Sequence, residues 1–205
     1  MISCSELRRR ARGALGNSIF SGSWLFGLLA CVIINLISSV LGSTGVLAPI
    51  VFVIHGCLQF GICAFFLSSA RGSEDKDDLN TLFTGFTENL GRNIIAGILV
   101  IIFTLLWTCL FIIPGIVMGY AYSMTFYIMK DHPEYSALEA IRASKEMMKG
   151  YKMKLFLLQL SFIGWEIVAV LFCCGIGLLW VEPYKQAAIA ELYEHIKSGC
   201  DYSLE

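Results

Sequence analysis

Two long stretches of this chain carry no formal charge. Residues 13–70 contain no Asp, Glu, Lys or Arg, and neither do residues 93–129. A globular surface draws heavily on charged side chains, so a soluble fold rarely tolerates such runs. A helix that crosses a bilayer needs about 20 mostly apolar residues. The first stretch is long enough for two crossings, and the second for two short ones if the chain reverses at Pro114-Gly115. A third stretch, 155–181, is broken only by Glu166. Hydrophobic residues make up 57% and charged residues 15% of the 205, and mean hydropathy is +0.71. The expected class is all-α: a polytopic helical membrane bundle of about six segments in three hairpins, forming a single membrane domain over 1–205, with amphipathic interfacial helices beside it.

Taken in order, residues 2–16 form a short helix with Arg8, Arg9, Arg10 and Arg12 set to face lipid headgroups and with Leu7, Ala11, Ala14 and Leu15 on one side. Membrane segments are expected at about 24–41, 46–69, 93–113, 116–130, 155–172 and 178–196. The first is read as an uncleaved span rather than a signal peptide, since a second apolar run follows it. Turns fall at 42–45, 112–116 and 173–177. Cytoplasmic segments are expected at 1–20, 71–92, 131–154 and 197–205. With this topology all fifteen Lys and Arg lie on one side of the membrane, and the three turns carry none. That is the positive-inside pattern, and it places both ends in the cytoplasm. A five-span alternative would strand Lys185 and Lys197 outside.

The polar segments have their own patterns. Glu74, Asp75, Asp77 and Asp78 form an acidic cluster read as a solvated face, and Leu79, Leu82, Phe83 and Phe86 recur at helical spacing. Gly115, Gly119 and Ser123 recur every four residues, a spacing that lets helix backbones approach closely in lipid. Ser136 and Glu139 have capping-box spacing and open a helix. Its basic end, carried by Arg142, Lys145, Lys149, Lys152 and Lys154, forms a candidate face for anionic lipid or a partner.

Within the apolar segments the candidate polar residues are Glu166, His55, Gln59 and Asn35. His55 and Gln59 are four apart and share a helix face, within reach of a partner such as Asn35. Glu166 is the strongest single candidate, because a carboxylate in the apolar core is costly. No catalytic, metal or cofactor set is expected: the eight cysteines lack C-x-x-C spacing and mostly sit in apolar runs, and His55, His132 and His195 fall at different depths. His132 beside Asp131 reads as turn chemistry. Net charge is −1, which offers no basic field to nucleic acid.

The strings LWTCLFIIPGIVMGYAYSMTFYIMKDHPEYSALEAI, SKEMMKG, KLFLLQLSFIGWEIV, GIGLLWVEPY and AELYEHI, together with ELRRRARGALGN and LFTGF, resemble the bacterial integral membrane proteins catalogued as domain of unknown function 975. The resemblance implies a multi-pass helical protein of the cytoplasmic membrane and supplies no catalytic residue, cofactor or substrate.

The function expected is that of a non-enzymatic accessory or scaffold bundle. Its partners would be the lipid bilayer, anionic headgroups at the cytoplasmic face, and a membrane protein or second copy of the chain. The alternative is a small-solute or proton-coupled transporter or channel component using Glu166 and His55.

Overall fold

The computed structural model describes residues 4–14, 25, 27–29, 31–32, 48–72, 79–173 and 177–200. Among them, all regular structure is helical: α1 (Cys4–Ala14), α2 (Ala48–Arg71), a 3-10 turn (Leu79–Phe83), α3 (Thr84–Thr87), α4 (Leu90–Leu110), α5 (Ile112–Tyr122), α6 (Thr125–Asp131), α7 (Ala137–Met147), α8 (Lys152–Cys173) and α9 (Leu178–Cys200). Positions 25, 27–29 and 31–32 are also helical. The rest of the expected first span, the 42–45 turn, the acidic cluster and residues 174–176 lie outside the described residues. Contacts divide the chain into two compact units, each treated on its own. One holds Met1–Ile34, Phe65–Leu79 and Met153–Glu205; the other holds Asn35–Ala64 and Asn80–Lys152.

In the second unit, α4 and α5 form the central hairpin. Its reversal falls at Phe111, ahead of the expected Pro114-Gly115. α4 ends at Leu110, Phe111 is extended (φ −157°, ψ 133°), and α5 begins at Ile112 with Pro114 in its first turn. First-turn N–H groups have no acceptor within the helix, so the donor that proline lacks costs nothing there. Gly115 then donates to the Phe111 carbonyl at 3.0 Å. Gly115 is required for close approach: a Cβ would lie 2.6 Å from Thr108 Cα on α4. One turn later, a Cβ on Gly119 would meet Thr104 Cγ2 at 3.7 Å. The glycine stripe therefore faces α4, as small residues do where two helices pack tightly.

The expected span 116–130 is two helices, α5 and α6, with a break at Ser123 and Met124. Such a break exposes backbone groups that must find partners. Ser144 of α7 supplies them. Its hydroxyl accepts from the Met124 N–H at 3.2 Å and donates to the Ala121 carbonyl at 2.8 Å, fully buried. Around it Ala121, Tyr122 and Ile141 pack with Leu99, Val100, Phe103 and Met118. Ser144→Ala removes both bonds from a dry site and is expected to cost about 2 kcal/mol, read as a lower unfolding midpoint in detergent.

α7 starts where the capping-box spacing placed it. Ser136 N–H donates to Glu139 Oε2 at 2.7 Å, and Glu139 N–H donates back to Ser136 Oγ. Ala137, Ala140, Ile141, Ser144 and Met148 are buried, and Glu139, Arg142, Lys145, Glu146 and Lys149 face out.

α2 and α4 cross with backbone against backbone. A Cβ on Gly97 would lie 2.6 Å from Gly56 Cα and 3.0 Å from Gly56 N, and one on Gly56 would collide with the Asn93 carbonyl. Gly85 sits equally close to the Cys57 carbonyl. Asn93, fully buried, donates to the carbonyls of Gly85 at 2.9 Å and Glu88 at 2.8 Å. These contacts shape the segment before α4. In place of the expected amphipathic helix there is a 3-10 turn and the four-residue α3.

In the first unit, α1 packs on α9, with Leu7 and Ala11 fully buried. The apolar side of α1 is thus covered by protein, and Arg9, Arg10 and Arg12 remain exposed. Arg71 pairs with Glu194 at 2.7 Å. α9 runs through Pro183. Gly177, which precedes it, is pressed on Ala169 of α8, where a Cβ would lie 2.7 Å from the Ala169 Cβ.

Two stretches, Leu90–Leu110 and Ile112–Asp131, are long and apolar enough to cross a membrane, with mean hydropathy 2.4 and 1.4 in their most apolar windows. The core helix of a soluble protein passes the same test but is mostly buried. In α4 only 17% of that window is buried. Leu105, Leu106, Leu110, Phe111, Ile112 and Ile113 are all exposed, Ile113 at 76%.

Candidate functional site

Glu166 has a partner. It projects from α8, and Lys185 of α9 reaches its Oε1 at 3.1 Å. The same ammonium bonds Glu182 Oε2 at 2.7 Å, and Gln186 donates to Glu182 Oε1 at 3.1 Å. The side chains of Glu166, Lys185 and Glu182 are 31%, 22% and 34% exposed, so the cluster is half-buried. Glu166 lies two helical turns before Cys173, and Lys185 two turns after Leu178. At about 1.5 Å per residue both stand roughly 10 Å from the reversal, so a hairpin brings them level.

Such a pair is costly to break from one side, because the remaining charges keep their desolvation without their partner. Lys185→Met leaves two carboxylates facing each other. It is expected to lower stability by about 2 kcal/mol, between the values for surface and fully buried pairs, whereas Glu166→Gln, which leaves Lys185 bonded to Glu182, should cost less. Unfolding midpoints of the two variants in detergent decide the order.

The other intramembrane candidates are placed less fully. His55 lies within α2, with its side chain outside the described part; Gln59 is half-buried on the same helix; Asn35 lies outside the described residues. Among the described residues no group of three His, Cys, Asp or Glu is placed to hold a metal ion. Cys31, Cys57 and Cys63 are free and buried, and Cys109 is free and exposed.

The basic candidates divide. Arg142, Lys145 and Lys149 are exposed on or just after α7, with Lys149 paired to Glu146. Lys152 and Lys154 open α8 and are half-buried; Lys154 falls in the first unit with its ammonium buried, so it does not join the expected basic face. Hydrogen bonds from the Ser136 side chain, and then from its backbone, hold the Glu139 carboxyl below the usual carboxylate range. A depressed folded value means that this cap contributes at pH above the ordinary carboxylate range and is lost as pH falls through the folded value.

Two polar residues important to the second unit went unmarked in the sequence. Arg92, in the first turn of α4, donates to the carbonyls of Met129 at 3.0 Å, His132 at 3.4 Å, Pro133 at 2.5 Å and Tyr135 at 3.1 Å. One guanidinium thereby holds the entire α6–α7 connection. Asn93, its neighbour, holds α3. Nearby, Lys130 pairs with Glu88 at 3.0 Å. His132 pairs with Glu134, at 2.9 Å, and stacks on Tyr135 with ring centroids 4.6 Å apart. Hydrogen bonding holds the Glu134 carboxyl below its ordinary range.

The stretch from the end of α4 through α9 also carries a family signature. Residues 109–199 match the family described as protein of unknown function (DUF975). The resemblance read from the sequence is borne out over that stretch. The DUF975 stretch contains the basic face of α7 and the Glu166–Lys185–Glu182 cluster. Arg92, Asn93 and the strings ELRRRARGALGN and LFTGF lie before it. No curated protein matches the chain, and no solved structure does.

Proposed function

We propose that this is a non-enzymatic, multi-pass protein of the cytoplasmic membrane. Its α4–α5 hairpin crosses the membrane with the basic face of α7 on the cytoplasmic side, and it serves as an accessory or scaffold bundle. The observation that carries the membrane placement is α4, apolar enough to cross and only 17% buried in its most apolar window. The scaffold role is supported by what the polar groups bond. Asn93, Ser144 and Arg92 hold backbone, and Glu166 is ion-paired across α8 and α9. A carboxylate so bound suits cohesion of a hairpin better than proton carriage. On this basis Glu166→Gln leaves proton or solute flux in proteoliposomes unchanged, and loss of such a flux would favour the transporter alternative.

The working surface is the basic face carried by Lys145, Lys149 and Lys152 of the second unit, which engages a partner membrane protein or anionic headgroups. Each Lys near an anionic surface contributes about 1 kcal/mol. Replacing Lys145, Lys149 and Lys152 with Gln is expected to reduce partner recovery, by crosslinking and pull-down from native membranes, at least about tenfold. Undiminished recovery would sink the basic-face proposal.

A further inference from the structure

We propose that the cavity formed by α1, α8 and α9 binds the phosphate of an anionic phospholipid. The cavity measures about 360 Å³ and is lined by Ser5, Arg8, Arg9, Arg12, Trp165 and Tyr184. Three arginines line one small space, and no carboxylate is among the described residues lining it. Glu6 pairs with Arg10 at 3.1 Å, and Glu166 and Glu182 pair with Lys185. Like charges brought together repel, and an anion between them relieves that repulsion. Arg8 Nε is buried with no hydrogen-bond acceptor, a donor that an anion in the cavity would satisfy.

The walls are held in place. Tyr184 donates its hydroxyl to the Arg8 carbonyl at 2.9 Å, the Arg12 guanidinium lies 5.9 Å over the Tyr184 ring, and Phe162 packs edge-on against the same ring at 5.1 Å. Planar guanidinium forks match phosphate oxygens in pairs, which is why arginine predominates in phosphate recognition. The geometry favours a lipid over free phosphate because α8 is apolar and exposed beside the cavity. Trp165 is 60% exposed, and Ile163 and Ile167 are exposed near it, offering a surface for an acyl chain. This assignment rests on the membrane reading above.

The test uses the full chain purified in mild detergent and loaded with phosphatidylglycerol. Lipid retained per protein is measured after gel filtration in about 1 M salt, where the screening length of about 3 Å suppresses diffuse attraction. Wild type should retain about one lipid, and Arg8→Gln/Arg12→Gln at least about tenfold less. Arg8→Lys/Arg12→Lys keeps the charge but loses the fork, and should fall between. Lys197→Gln, on α9 and not among the residues lining the cavity, should match wild type. Equal retention by wild type and the Gln pair would overturn the site, as would an equal loss in the Lys197 variant. Inorganic phosphate added alone should not protect the protein against unfolding; protection by phosphate without lipid retention would overturn the lipid assignment. Alkaline carbonate extraction reports on the membrane reading separately.

Discussion

Gly97→Ala is expected to destabilise the second unit by about 3 kcal/mol, one of the two largest effects in this protein. The reason is what the added methyl would meet. At Gly97 the nearest atoms are the Cα and N of Gly56, at 2.6 and 3.0 Å, and these are backbone. A side-chain neighbour could rotate away, but here α2 and α4 must separate. Separation would also pull Gly85 off the Cys57 carbonyl and strain the bonds from Asn93 to Gly85 and Glu88. In lipid no hydrophobic force re-closes a widened gap, since the competing solvent is as apolar as the side chains. Gly91→Ala is the matched control: it lies on the same helix with nothing within 4 Å of its Cβ position, and should be neutral or slightly stabilising. Thermal or SDS unfolding midpoints in detergent compare the two. Equal midpoints would mean that the α2–α4 crossing is looser than described.

The other large effect is expected at Arg92. Arg92→Met keeps most of the aliphatic stem and removes the guanidinium that gathers the carbonyls of Met129, His132, Pro133 and Tyr135. Hydrogen bonds to a charged donor contribute about 1.5–3 kcal/mol each where buried, and less where water can replace them. This site is partly open, so the net loss should be about 2–3 kcal/mol rather than the sum of four bonds. Arg92→Lys should recover part of it, because a single ammonium cannot span four acceptors. Hydrogen exchange should quicken over 129–136 before it quickens in α4. Uniform loosening of the whole unit would contradict the local role.

What could be read in advance followed from local spacing. The Ser136–Glu139 cap and the glycine stripe at 115 and 119 each depend on residues within a turn or two of one another. The hairpin is legible but displaced, because a proline reads as a stop and yet is accepted in a first helical turn. The break at Ser123 and Met124 carried no local mark, since its compensation comes from Ser144 on another helix. The same holds for Arg92 with the 132–135 connection and for Gly56 with Gly97, which meet only through tertiary packing. Glu166 was marked for its cost in an apolar run while Lys185 was counted only as a positive charge. Their equal distance from the 173–177 turn was the signal that could have joined them.

The central claim is that the α4–α5 hairpin crosses the membrane, with its tip away from the basic face of α7. Single cysteines at Ile113 and Lys149 in a cysteine-free background, labelled with a membrane-impermeant maleimide in intact cells and in inverted vesicles, test it directly. Labelling is expected of Ile113→Cys from outside only and of Lys149→Cys from the cytoplasmic side only. Labelling of both positions from the same side would contradict it.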